Sequence, residues 1–273
     1  MRFSKGLCFL IALLLLLPTM ASAQSFILSQ NGKKVGDATL TITVKPAVPA
    51  SPAKAAAGKP AAGKTSAARA AAPGGFDLTS GVKISMKGLD YSFTETATLN
   101  AGYHLKNLRL DGVVNGTAAN VSVTHTGQQL TMKISANGSE TSNPLEFHPQ
   151  SVFMPDFDPG ALQVLLKLAA PVNNLDLWAI IPKQTGLVAP LRIATMADEQ
   201  GTLDGAPIAV HHLTVTNDTE KTEVFSGPDD ELLQAEWTTQ GFALAREGFK
   251  LTPPKRPTGA PPALPTATQP QQQ

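Results

Sequence analysis

The chain has 273 residues, 42% of them hydrophobic and 16% charged, and 22 Lys and Arg against 21 Asp and Glu give a formal charge of +1. This composition excludes a polytopic membrane protein, a collagen and a wholly disordered chain. The near cancellation of charge leaves no overall field to attract phosphate, so no nucleic-acid partner is expected.

Residues 1–23 read as an export leader. Arg2 and Lys5 form a short positive region, residues 7–17 are an apolar run, Pro18 breaks it, and Ala21-Ser22-Ala23 supplies the small residues a signal peptidase requires. Cleavage after Ala23 would make Gln24 the new start. The run is short of the roughly 20 apolar residues that span a bilayer, so the expected location is the periplasm, or the medium if the chain is secreted. The single cysteine, Cys8, sits inside this leader. A mature chain without it has no disulfide, thiolate nucleophile or cysteine metal ligand, and its stability must come from a buried core.

Composition divides the rest. Residues 45–75 carry five positive charges (Lys45, Lys54, Lys59, Lys64 and Arg69) among Ala, Pro and Gly, with no acid and no aromatic residue. Such a stretch buries too little apolar surface to offset its ordering entropy and is expected to be a disordered insertion. Residues 253–273 form a second such segment, a Pro- and Gln-rich tail. What remains is one β-rich domain, 24–252, interrupted by the insertion. All 21 acids lie in its folding part, whereas nine of the 22 bases lie in leader, insertion and tail. The body is therefore acidic and its long loop basic.

In chain order, Phe26-Ile27-Leu28 and Val35 flank Asn31-Gly32, the dipeptide that a tight hairpin prefers because both residues tolerate positive φ. Ala38, Leu40, Ile42 and Val44 then alternate with polar residues at the two-residue period of a half-buried strand. After the insertion the pattern returns at Val82, Ile84 and Met86, then Leu89, Tyr91 and Phe93, then Val121 and Val123, then Leu130, Met132 and Ile134. Gly88, Asn115-Gly116, Gly127 and Asn137-Gly138 punctuate these runs. Strands joined by such short turns predict an antiparallel meander.

Two runs slip phase. Tyr103 and Leu105 are out of step with Leu108 and Leu110, and a β-bulge between Lys106 and Asn107 would return both sets to one face. Ile208 and Val210 slip likewise against Leu213 and Val215 across His211-His212. There a bulge and a strand buried on both faces are equally open.

One helix is predicted, at about 158–170. Asp158 offers an N-cap oxygen, Pro159 suits the first helical position, and Pro171 stops the run. Gln163 and Lys167 make its narrow polar stripe, while Leu162, Val164, Leu165, Leu166 and Leu168 cover most of the rest. So apolar a helix must be covered, either as a core plug or as a lid over a curved sheet. The preceding stretch, 144–155, reads as a Pro-rich loop that packs Phe147, Phe153 and Met154 at the rim. After the helix about six more strands are expected, at 175–181, 191–197, 206–216, 222–225, 232–238 and 242–250, to match about six before it. The fold class is mainly β, a curved antiparallel sheet or half-open barrel with one short helix.

The histidines offer little chemistry by spacing. His211 and His212 are adjacent and would face opposite ways on a regular strand, and His104, His125 and His148 are scattered. Asp156 and Asp158 could pair, but Asp158 is better used as a cap, and no nucleophile elbow or phosphate cradle occurs. No enzyme activity, metal or cofactor is expected.

The layout resembles the periplasmic lipoprotein-carrier, or LolA-like, superfamily. The likeness is carried by Gly201-Thr202-Leu203-Asp204-Gly205, by the strand with His211-His212, and by the stretch from Leu232-Leu233-Gln234-Ala235-Glu236-Trp237-Thr238 to Arg246-Glu247-Gly248-Phe249, which are similar to uncharacterised exported bacterial proteins of that group. The resemblance implies a half-open barrel that holds acyl chains beneath short helices. The expected function is accordingly non-covalent binding of an apolar small molecule or lipid in the cavity of the curved sheet. Leu40, Ile42, Ile84, Met86, Tyr91 and Phe93 are the candidate sheet contacts, and Leu162, Leu165 and Leu166 the candidate lid contacts. The basic insertion either touches a membrane surface transiently or is a solvated loop. The alternative function is an envelope scaffold with a filled core.

Overall fold

The structure is a computed structural model, and it describes residues 22–47, 73–170, 177–182, 186–217 and 220–253. The expected leader up to residue 21, most of the basic insertion and the tail from residue 254 lie outside the described residues.

Eight strands form a continuous antiparallel meander: β1 (Ser22–Gln30), β2 (Lys33–Lys45), β3 (Gly75–Met86), β4 (Leu89–Leu99), β5 (Leu105–Val114), β6 (Thr117–Thr126), β7 (Gln129–Ala136) and β8 (Ser139–Leu145). After β9 (Ser151–Phe153) and the helix α1 (Pro159–Ala169) come β10 (Leu177–Ile181), β11 (Leu187–Thr195), β12 (Glu199–Leu203), β13 (Ala206–Asn217), β14 (Glu220–Ser226), β15 (Leu232–Trp237), β16 (Phe242–Arg246) and β17 (Phe249–Leu251). β1 welds the two halves, pairing with β2 along one edge and β16 along the other. From β16 the sheet continues through β15, β14, β13, β11 and β10 to β9. The outcome is one curved 17-stranded sheet whose end strands, β8 and β9, do not pair with each other, so the barrel stays open.

The turns follow the sequence closely. Asn31-Gly32, Asn115-Gly116, Asn137-Gly138 and Asp204-Gly205 all have positive φ at both positions, between 48° and 83°. That is the mirror-image turn whose twist matches the flanking strands. The bulge expected near Lys106 is present: Thr98 pairs with Asn107 and Leu99 with Leu105, which leaves Lys106 as the extra residue. Leu108 and Leu110 are thereby restored to the core face.

β13 resolves the other way. Its pairing with β14 runs without a shift from His211 to Asn217. Instead, Val215 packs in the main core while Val210 packs in a smaller one with Phe225, Leu233 and Phe249. Neighbours such as Val224 and Phe225 divide between the two cores, so the smaller core lies on the opposite face of the sheet. It is covered by β12 and β17, which pair with each other, and β12 pairs with the first half of β13.

Seventeen strands replace the expected dozen. β8 is the polar run Ser-Glu-Thr-Ser-Asn-Pro-Leu, with no alternation to reveal it, and it holds Pro144 because one of its edges needs no donor. The stretch read as a loop thus begins and ends in strands β8 and β9. β9 and β10 are the parallel pair of the sheet, and parallel neighbours need a crossover, which α1 supplies.

α1 is a plug. Asp158 caps it, accepting from Gly160 N at 3.0 Å and Ala161 N at 2.9 Å, and of the residues 159–168 only Lys167 is not buried. Its polar stripe docks on the turn between β14 and β15: Gln163 donates to Asp230 O at 2.6 Å and accepts from Leu232 N at 2.9 Å, and Lys167 donates to Asp229 O.

Candidate functional site

The nine apolar candidates converge on one core. Leu40, Ile84, Phe93, Leu162, Leu165 and Leu166 are buried in it, and Ile42, Met86 and Tyr91 pack against it partly buried. Their inward direction follows from strand alternation and from the helix stripe. Beneath α1, the space bounded by Leu78, Glu95, Ala97, Ala161 and Val164 amounts to about 10 Å³, at the threshold for one water molecule. None of the nine candidates lines that space.

Two carboxyls are sealed in that interior. Glu95, on β4, and Asp158 are both buried and hydrogen-bond each other. Burial pushes the Glu95 carboxyl well above its ordinary range, and the neighbouring Asp158 charge and hydrogen bond push it the same way. Asp158 is also raised by burial, though Ser80, the amides of Gly160 and Ala161, and Glu95 pull it back. No donor meets Glu95 Oε2. One proton carried by Glu95 and accepted by Asp158 satisfies the pair and leaves Asp158 the charge that a helix N-terminus favours. The same group raises the Tyr91 hydroxyl, through burial first and then through Asp156, Asp158 and Glu95. The cleft beside it, lined by Asp156, Asp158, Leu162, Glu220 and Trp237, holds about 80 Å³, below the ~300 Å³ at which ligand sites begin.

A larger space opens at the unpaired seam. The β4–β5 turn, the facing ends of β6 and β7, the segment between β8 and β9, and Ile180 of β10 surround a pocket of about 350 Å³. Leu105, Leu130, Phe147 and Ile180 give it apolar walls, and His104, His125 and His148 stand around it with Lys106.

Each imidazole is held by different chemistry. Asn100 Oδ1 accepts from Gly102 N at 2.8 Å and His104 N at 3.0 Å, fixing the turn from which His104 Nδ1 reaches Pro149 O at 2.6 Å across the seam. His125 continues the inward row of Val121 and Val123 and stacks on Phe147 with ring centres 4.3 Å apart. His148 stacks on Trp178 at 3.6 Å, and its Nε2 lies 3.5 Å from Glu146. His125 Nε2 is buried with no protein partner among the described residues.

His211 and His212 do not converge. His211 Nδ1 meets Asp198 at 3.0 Å near the surface, whereas His212 stacks on Phe225 over the smaller core. His212 joins Glu199 through Nδ1 and Glu223 through Nε2, each at 3.0 Å, tying β12 to β14.

Sequence reasoning missed the seam pocket and Glu95. The alternation that names Val121 and Val123 as inward-facing also selects His125, two residues on. It likewise selects Glu95 after Tyr91 and Phe93, a carboxylate in a core row. The meeting of His104, His125 and His148 left no signal in spacing, because strands separated along the chain bring them together.

No protein-family model matches this chain. No curated protein matches it either. Among solved structures, the beta-barrel-like protein of domain of unknown function DUF1849 from Brucella abortus superposes with a TM-score of 0.51 at 8% identity, covering 87% of this chain and 100% of that one. A DUF1089 family protein from Pseudomonas aeruginosa aligns over 61% of this chain and 84% of its own at 8% identity, with a TM-score of 0.36 that carries no argument. What this chain shares with the Brucella protein is a β-barrel-like fold.

Proposed function

We propose that this chain is an exported, non-enzymatic carrier of the LolA-like kind that holds an apolar ligand, an acyl chain or other envelope lipid, without any covalent step. The observation that supports it is the seam pocket: at about 350 Å³ it lies within the range of small-molecule sites, and its walls are mostly apolar. The proposed site is the open seam between β8 and β9. An aliphatic chain gains about 0.8 kcal/mol per buried CH₂, so burial alone can drive reversible binding. Gly75, where the basic insertion rejoins the sheet, lies against Leu99 and Asn100, and Asn100 lines the pocket. A membrane contact by the insertion would therefore bring anionic headgroups to the pocket's rim.

The test is gentle purification from the native envelope, lipid mass spectrometry on the product, and displacement of an apolar fluorescent probe. A stoichiometric lipid and displaceable probe are expected; neither appearing would overturn the proposal. The small size of the space beneath α1, about 10 Å³, favours a second reading, a scaffold with no cargo. In that case the purified protein brings a protein partner and no lipid.

A further inference from the structure

We infer that the seam pocket selects a single-chain amphiphile with an anionic head, the head meeting His125 and Lys106; this rests on the carrier reading and adds a substrate class to it. The folding body holds all 21 acids of the chain against 13 of its 22 bases, yet the pocket is lined by three imidazoles and one ammonium and by no carboxylate. Inside an acidic body a lining of hydrogen-bonding imidazoles with one ammonium and no carboxylate favours an anionic head over a cationic one.

A hydrogen bond at the pocket wall is unfilled. The His125 ring is fixed by its stack on Phe147, its Nε2 is buried without a partner, and it stands at the pocket wall. A buried polar atom left unmatched is destabilising, and a ligand oxygen at this position would remove that cost. His104 Nδ1 is occupied by Pro149 O, and His148 Nε2, likewise buried without a hydrogen-bond partner, lies 3.5 Å from the Glu146 carboxylate. Both His125 and His148 have capacity to spare, but at His148 the Glu146 carboxylate would repel an anionic head, which leaves His125 as its partner. The bulge leaves Lys106 as the unpaired residue of β5, exposed at the rim, where its ammonium can face the same head.

A volume near the lower end of the usual range accommodates one aliphatic chain against Leu105, Leu130 and Ile180 better than two.

The experiment is calorimetric titration of the purified full-length protein with dodecanoate, dodecyl phosphate, dodecanol and dodecylammonium. Both anions are expected to bind about tenfold more tightly than the alcohol, as a charge-assisted hydrogen bond exceeds a neutral one, with the ammonium weakest; the order of the two anions tells a carboxylate head from a phosphate head. His125→Phe should narrow the gap between anion and alcohol, and Lys106→Gln, at an exposed position that folding tolerates, should narrow it in the same direction. Equal affinity for anions and alcohol, tighter binding of the ammonium, or an undiminished gap in both variants overturns the head-group assignment while leaving a carrier. Failure of all four probes to bind overturns the carrier reading and this inference with it.

Discussion

Glu95 of β4 and Asp158, the cap of α1, meet inside the core as a carboxyl pair, and each keeps no more than 3% of its surface exposed. The β meander and the helix are joined at this point by a shared proton as well as by apolar packing.

The pair makes stability fall as the solution becomes alkaline. Both carboxyls have folded-state pKa values above those of the unfolded chain, so between the two values the native state holds protons that the unfolded state has released. Their stabilisation is fully present below the unfolded carboxylate range and is lost as pH rises through the folded values. Glu95→Gln keeps a donor toward Asp158 that cannot ionise. Urea denaturation at a series of pH values should show the wild type losing stability through this window and the variant losing much less; parallel curves would contradict the shared proton.

Asp158→Ala removes the acceptor for two helix amides and the partner of Glu95. A lost cap costs about 1 kcal/mol, and the unmatched buried carboxyl adds to it. Asp158→Asn keeps one cap acceptor and should lose less. Denaturant midpoints of both variants measure the difference, and an equal loss would show that capping is not what Asp158 contributes.

Leu165 is fully buried in the main core beneath the sheet. Leu165→Ala should cost about 2–5 kcal/mol of global stability, through lost burial and a residual cavity. Because Leu165 does not line the seam pocket, the variant, where it still folds, should bind an apolar probe with an affinity close to that of the wild type. A large affinity loss with intact stability would return the ligand site to the helix.

Phe249 closes the smaller core, and one edge of its ring leaves no space for a side chain at Gly201. Phe249→Ala should loosen β12 and β17 while the main core persists, since the four buried residues of the smaller core are its own set. Hydrogen exchange should show the opening free energy of those two strands falling by about 2 kcal/mol or more, while exchange remains slow in β3 and β4. Uniform acceleration would make the two cores one cooperative unit.

How far the sequence was legible follows from the range of the forces involved. Asn31-Gly32 set its hairpin because the conformational preference is local, and the phase slip before Leu108 marked the bulge because a single strand carries both halves of the pattern. Asp158 and Pro159 marked the start of α1 for the same reason. β8 escaped notice because a polar edge strand has no buried face to write a period into the chain.

By itself, then, the sequence determined the strand grammar, the turns, the cap and the inward or outward sense of each side chain, all consequences of backbone geometry over a few residues. Tertiary structure alone decided that β13 would serve two cores and that His104, His125 and His148 would stand around one pocket. Those outcomes depend on how far the sheet curls while leaving the seam between β8 and β9 open, and curvature sums contributions from every strand rather than residing in any one stretch of sequence.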